Sequence, residues 1–475
     1  MAQSILDIVS GQAEKVEQNV QTLTASGNTF SDRAVKGDAF ELEGNRRAVR
    51  VPIITTQPMS GYKMNLNGGT WSRGRGVEST AYFLGHLPFG YSYEITLESL
   101  TMNKGNAIDA NSQIFGKSAA VANEWQDIFF HQPGDGILAG RDGGSTTSTV
   151  VVNGINCTQY VFNDPADNTT VNMLVEGMQV EAYSSDLDTR RAPSAGTQIT
   201  FVQSIDWGAN AVTLNQQMAA AAAGDVLAIS GLKDPVSGFP SGFSRGSAPA
   251  LGSFSSTYPA AGTTNAAGFQ GDAFRHGYSY ATDNDATRTF FQLSKSAVPQ
   301  LLPSFLSANA APYNPAFMIQ MTNQIIKKRP QLDGVKDLLA SVPLAQYDAI
   351  WRAGVTLVQP IRDVSGEYGS TLDGTPNDTN LGDTFNIGGV VCHKDRRQPA
   401  NQIDFLVPKS IGKCVGSKLV LNKQGTQNGF LPVIDPTTGT PTSTILMMMY
   451  DSWDYGYRDP GMFARIGNLA KPSGY

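Results

Sequence analysis

Charged residues, cysteines and histidines are all scarce in this chain, and each scarcity narrows what the protein does. Lys, Arg, Asp and Glu make up 16% of the 475 residues, low for a molecule that meets water on every side, where charge keeps surfaces apart. A subunit that covers much of its surface with copies of itself tolerates such a composition. A β-rich, loop-rich globular protein does so too. The three cysteines (Cys157, Cys392, Cys414) are odd in number and widely spaced with no CxxC pair, so neither a disulfide framework nor a zinc site follows from them. The four histidines (His86, His131, His276, His393) show no HxxxH or HxH spacing. No metal or cofactor is therefore expected. His393 stands beside Cys392 and near Asp395, but adjacent residues on a strand point to opposite faces, which favours an ordinary strand end over a thiol–imidazole pair. No GxxxxGKS/T phosphate loop, GxSxG elbow or Rossmann glycine triad occurs. With no such constellation, the chain is expected not to be an enzyme.

Long apolar runs are missing as well. No stretch of about 18 consecutive apolar residues is present, so no membrane-spanning helix is expected. Met1-Ala2-Gln3-Ser4 lacks the basic-then-apolar order of a secretory leader, and synthesis in a cytoplasm is the expectation. The net charge of −6 argues against a dedicated DNA-wrapping protein, which would be basic across a face or domain.

What is present is an ordered succession of textures, long enough for two or three compact units. Ile5, Val9, Ala13, Val16, Val20 and Leu23 recur at helical steps. A lone amphipathic helix on a polar strap cannot bury its stripe alone, so residues 1–44 read as an arm. Residues 45–100 read as a long β-excursion: Val49, Val51, Ile53 and Ile54 open a strand, Asn67-Gly68-Gly69 supplies a turn, and Tyr91, Tyr93 and Ile95 alternate on the return. Between Gly44 and Val77 lie six basic residues (Arg46, Arg47, Arg50, Lys63, Arg73, Arg75) and no acidic one. A solvated loop is the bland account; an acidic neighbouring surface or nucleic acid is the alternative. A long helix is expected from about 106 to 131, stopped by Pro133-Gly134-Asp135-Gly136. Short β-type runs then fill 141–232 and suggest an inserted antiparallel barrel or sandwich. Residues 232–285 are rich in Gly, Ser, Ala and Pro. Asn314-Pro315 is a helix start, with further short helices expected at Val335–Ser341 and Leu344–Ala353. The end is β again, with an aromatic tail including Trp453, Tyr455, Tyr457 and Phe463.

This order resembles the major capsid proteins of tailed bacteriophages with the Hong Kong 97-type fold. Four segments carry the likeness. They are the succession of arm, β-excursion and helix over 1–131; the helix exit Phe129-Phe130-His131-Gln132-Pro133-Gly134-Asp135-Gly136-Ile137-Leu138; the run Phe385-Asn386-Ile387-Gly388-Gly389-Val390-Val391 with Asp395 and Pro399-Ala400-Asn401-Gln402-Ile403-Asp404-Phe405-Leu406; and the tail Asp459-Pro460-Gly461-Met462-Phe463-Ala464-Arg465-Ile466. Each motif is weak alone, and their order carries the resemblance. The inserted β-domain is its least matched part.

The resemblance implies an α+β phage major capsid fold. It would comprise an N-terminal arm (1–44), an extended loop (45–100), a peripheral domain with a spine helix (101–140 and 425–475), the inserted β-domain (141–232) and an axial domain (233–424). It implies a structural subunit that self-assembles into pentamers and hexamers of an icosahedral shell. That shell would enclose double-stranded DNA without sequence-specific binding, in a virion made in a host cytoplasm. Neighbouring subunits are the implied partners, with scaffolding, portal or decoration proteins in addition and no membrane. Arg46, Arg47, Arg50, Lys63, Arg73 and Arg75 would then lie over a neighbour's spine region, where Asp109, Glu124, Asp127 and Asp135 would receive them. Trp71, Tyr82, Phe83 and Phe89 would be the apolar anchors. The alternatives are an encapsulin-type compartment of the same fold with a protein cargo, and a tail-associated β-rich binding module.

Overall fold

The computed structural model describes residues 30–41, 48–56, 78–96, 110–132, 136–140, 145–162, 171–184, 190–194, 200–230, 254–255, 258–259, 277–284, 286, 289–291, 293–328, 337–357, 384–387, 390–421, 430–434 and 441–472. The helical pattern over 5–23 and the Asn67-Gly68-Gly69 turn lie outside them. A short helix α1 (Phe30–Ala34) tucks Phe30, Ser31 and Ala34 into the core. Strands β1 (Ala48–Thr56) and β2 (Glu78–Gly85) form an antiparallel ribbon, with Ala48 opposite Gly85 and Ile54 opposite Ser79. The next strand, β3 (Leu87–Thr96), leaves that ribbon for another sheet. The strand that returns along β1 is therefore β2, not the Tyr91–Ile95 run. Tyr91 is drawn away because it packs with Ala122, Met447 and Met449 in a small apolar cluster.

Helix α2 (Ala110–His131) has 22 residues, a length of about 33 Å at 1.5 Å per residue. Its last turn is buried all round: Ile128, Phe129, Phe130 and His131 each have under 4% of their surface exposed. Such a helix end must be clasped from several sides. The Gln132 N–H donates to the Phe129 carbonyl and tightens the exit.

The segment 137–229 folds into one antiparallel sheet of β4 (Ile137–Ala139), β5 (Ser145–Val152), β6 (Ile155–Phe162), β7 (Gln179–Tyr183), β8 (Thr200–Asp206), β9 (Ala211–Leu214) and β10 (Val226–Ile229). Their order is β4-β10-β7-β8-β9-β6-β5. The sheet curls until Ser145, at the start of β5, accepts a bond from the Gly224 N–H and donates its hydroxyl to the Asp225 carbonyl. Arg191 clamps Asp225 from the other side at 2.7–3.1 Å.

A second, mixed sheet of six strands is built from distant pieces of chain. The single turn α3 (Tyr278–Ala281) packs beneath α2. Strand β11 (Ser304–Ser307) and helix α4 (Pro315–Lys328) follow; Asn314 caps that helix, its side-chain oxygen accepting from the Ala316 N–H at 2.9 Å. Next come β12 (Leu339–Pro343), α5 (Leu344–Leu357), β13 (Thr384–Ile387), β14 (Val390–Asp395) and β15 (Ile403–Leu406). The expectation of a helix over Val335–Ser341 is corrected here. Residues 339–343 are an interior strand, parallel to β14 and antiparallel to β15, with every residue buried. An unbroken apolar run fits a strand covered on both faces as well as a buried helix, and the flanking strands decide it.

The chain then builds β16 (Ile411–Leu421), β17 (Phe430–Ile434) and the 17-residue β18 (Pro441–Tyr457), which pairs with β16, β17 and β3. Last, β19 (Ala464–Gly467) enters the six-stranded sheet between β11 and β15. Residues 411–421 lie with the terminal four-stranded sheet, and 464–467 lie in the sheet of 304–307 and 339–406.

Candidate functional site: a buried ionic joint under the long helix

The last two turns of α2 place Glu124, Asp127 and His131 at intervals of three and four, one above the other on a single face. That face meets the segment that leaves β14. Arg397 is buried and forks: its Nε donates to Asp127 Oδ2 at 2.9 Å, its Nη2 to Glu124, and its Nη1 to the Asn172 carbonyl at 2.9 Å. Arg396 also reaches Glu124. The second oxygen of Asp127 accepts the Ser31 N–H at 3.0 Å. One guanidinium thus ties the long helix to the six-stranded sheet and to the connection before β7, while Asp127 holds α1 as well.

His131 extends the joint. Its Nδ1 lies 2.7 Å from the Asp127 carbonyl oxygen and its Nε2 lies 2.6 Å from Asp395 Oδ2. A carbonyl and an ionised carboxylate only accept, so this geometry favours the imidazolium, which offers hydrogen from both ring nitrogens. Burial opposes that charge, but the Asp395 and Asp127 carboxylates and the two hydrogen bonds outweigh it and raise the pKa above its ordinary value. For Asp395 burial likewise favours the neutral form, yet His131, the Ser341 hydroxyl at 2.6 Å and the Arg397 N–H at 3.0 Å hold its pKa below the ordinary value.

A second carboxylate sits deeper. Asp404 receives Arg465 through two bonds of 2.6 and 3.0 Å and Gln398 at 2.9 Å. Arg465 also donates to the Thr282 hydroxyl at 2.7 Å. The Tyr278 hydroxyl bridges Gln398 and Ser341, and burial drives its pKa well above the ordinary tyrosine value. The two carboxylates are therefore parts of one network spanning α1, α2, α3 and four strands of the six-stranded sheet, the C-terminal one included.

Serine, histidine and aspartate occur together here, and the geometry answers whether they act as a nucleophilic triad. The Ser341 hydroxyl donates to the carboxylate and not to the imidazole, and all three residues are buried. A triad needs the imidazole against the hydroxyl and a substrate within reach. This arrangement holds elements together. Among the described residues, no group of three or more His, Cys, Asp or Glu side chains could hold a metal.

The residues singled out from the sequence fall into three groups. Arg46, Arg47, Lys63, Trp71, Arg73, Arg75, Asp109 and Asp135 lie outside the described residues. Arg50 is exposed on β1, Phe83 is 53% exposed on β2, and Phe89 is half-buried against Trp125 and Phe129. Glu124, Asp127 and Tyr82 face inward. The expectation that Glu124 and Asp127 receive a neighbour's arginines gives way: both are buried, and Arg396 and Arg397 of the same chain already hold them. Tyr82 stacks on Phe291 and exchanges hydrogen bonds with the Tyr457 backbone. Sequence reasoning missed Arg397, Arg465, Ser341 and the charge on His131. The available signal was the spacing of 124, 127 and 131 on one helix face.

No protein-family model matches the chain, and no curated protein matches it. Solved structures do. The capsid asymmetric unit of cyanophage A-1(L) is similar over 96% of this chain and 97% of that one, at 10% identity and a TM-score of 0.46. The mature capsid of bacteriophage PhiM1 is similar over 96% and 91%, at 10% identity and a TM-score of 0.40. The capsid of cyanophage P-SCSP1u is similar over 97% and 93%, at 7% identity and a TM-score of 0.42.

Proposed function

We propose that this chain is a shell-forming structural subunit, the major capsid protein of a tailed phage. Copies assemble as pentamers and hexamers of an icosahedral shell around double-stranded DNA. The observation that carries the reading is the convergence of the motif-bearing segments on one joint. The long helix, the Val390–Asp395 and Ile403–Leu406 strands and the Ala464–Gly467 strand are remote in sequence, and the network of Asp127, His131, Asp395, Arg397, Asp404 and Arg465 draws them together.

The basic stretch meets a neighbouring subunit in this reading: Arg46 and Arg47 precede β1 in the sequence, and Lys63, Trp71, Arg73 and Arg75 lie between β1 and β2. Arg50 and Phe83 lie on the ribbon itself. Acceptors for the arginines are carboxylates other than Glu124 and Asp127, Asp109 and Asp135 among them. Exposed pairs of this kind contribute about 0–1 kcal/mol each, so they set orientation more than strength. Scaffolding, portal and decoration proteins are further partners in this reading.

Electron microscopy of the expressed chain, with and without a candidate scaffold, tests it. Closed shells are expected, and shells isolated from an infected host should contain double-stranded DNA. A packaged protein in place of DNA would point to an encapsulin-type compartment. A chain that stays monomeric at high concentration with scaffold supplied would overturn the assignment.

A further inference from the structure

The inserted sheet has two edges of opposite character. Strand β4 is short and buried along its whole length. Strand β5 is eight residues long, Ser-Thr-Thr-Ser-Thr-Val-Val-Val, and among the described residues no strand pairs with its outer side. Proteins guard such an edge with lysine, proline, a bulge or brevity, because its free N–H and C=O groups template pairing with another chain. The ribbon strand β1 carries Arg50 and Pro52, and β11, an edge of the six-stranded sheet, has four residues. Strand β5 has none of these devices. The hairpin 145–162 contains no charged residue of either sign.

Its geometry indicates what it is ready to bind. Asn153 and Gly154 form a two-residue turn with φ of 52° and 79°, and Val152 pairs with Ile155 across it. In such a hairpin alternate residues bond inward, so Thr147, Thr149 and Val151 turn their N–H and C=O groups outward. Ser145 is next in that series, and its carbonyl is the one taken by Gly224. The tip adds apolar surface: Val151 is 64% exposed and Ile155 57%, on opposite faces of the hairpin. An uncharged, β-branched edge with apolar side chains facing water is a surface awaiting cover.

We propose that β5 is a homotypic docking edge, which pairs antiparallel with β5 of a second copy of this chain. Charge selects that occupant. A strand with no charge meets its own copy without repulsion and without burying an unpaired ion. Thr149 lies at the centre of the three outward-facing residues. A two-fold axis there sets Thr149 against Thr149 and Thr147 against Val151 of the other copy, and completes about six backbone hydrogen bonds. The contact is isologous, so it closes as a pair and does not propagate. The close spacing of copies that favours this pairing rests on the shell reading.

The test introduces one thiol at the axis. The native cysteines Cys157, Cys392 and Cys414 are buried, so in the assembled full chain a short bis-maleimide reads the new site. Thr149→Cys is expected to give a covalent dimer of two identical chains, and Ala209→Cys, in the exposed turn between β8 and β9, is expected to give none. Adding Thr147→Lys to Thr149→Cys places like charges across the pair and should cut the dimer yield at least fivefold, with circular dichroism confirming that the chain still folds. Shells that form without any dimer above the Ala209→Cys level would overturn homotypic pairing and leave the shell reading standing. A cross-link to a protein of different mass would overturn it too. If no shells form, sedimentation of the soluble chain decides: a monomer–dimer equilibrium abolished by Thr149→Lys supports pairing, and a concentration-independent monomer overturns it.

Discussion

His131 carries its charge because of what surrounds it, and the sign of its effect on stability follows. Its folded pKa is raised above the ordinary 6.5, so its contribution is fully present below about pH 6.5 and is lost as pH rises through the folded value. Asp395 is held below its ordinary 3.8, so its contribution is present above that pH and is lost as pH falls through the lower folded value. Melting temperature measured from pH 4 to 9 should therefore fall on the alkaline side, and His131→Gln should flatten that slope. Parallel curves for the two proteins would show that the ring is not charged. The same substitution leaves Asp395 buried without its cation, and breaking such a pair costs about 3–5 kcal/mol. Gly277 makes a different kind of demand. It lies against the last turn of α2, where an added methyl group would overlap the Phe129, Phe130 and Gln132 carbonyl oxygens. These are backbone atoms and cannot swing aside. Gly277→Ala should destabilise by about 1–3 kcal/mol in urea denaturation. Only the spacing of the three helix residues was legible in the sequence. Glu124, Asp127 and His131 share a helix face, and a charged face ordinarily looks to water; the residue that turns Asp127 inward, Arg397, lies 270 positions away in sequence.

Elements were more legible than sites wherever their signal was local. The period of α2, the Asn314-Pro315 helix start and the short runs of the inserted sheet each announce themselves within a few residues. The short β-type runs expected across 141–232 include those that become β5, β6, β8 and β10. Two elements went astray because their signal is not local. Strand β12 became a strand through β14 and β15, whose partner residues lie 52 to 67 positions onward, and β3 found its partner in β18, at the other end of the chain. The β5–β6 turn offers a local test of its own. Gly154 has a φ of 79° with open space around it, so Gly154→Ala adds strain and no clash. A left-handed conformation costs a residue with a side chain about 1–2 kcal/mol. Hydrogen exchange should speed up in this hairpin and stay unchanged in α2.

At the scale of the whole molecule, the joint and the basic stretch differ in what their charges meet. The joint has its ions paired and buried inside one chain, so salt screens it little. The basic stretch from Gly44 to Val77 holds six cations and no anion, in a chain whose net charge is −6, and the rest of the molecule is correspondingly more acidic. Attraction between that stretch and a second copy acts across water, where screening sets in beyond about 8 Å at physiological ionic strength. If the proposed contacts form, assembly followed by light scattering should slow as sodium chloride is raised. Replacing Arg50, Lys63, Arg73 and Arg75 with glutamine should slow it at low salt and remove most of the salt dependence. The unfolding temperature of the isolated subunit should scarcely move, because none of the four belongs to the joint. An assembly rate indifferent to both salt and these substitutions would place the neighbour's contact elsewhere, with apolar surface such as Phe83 and the uncharged edge of β5 the next surfaces to probe.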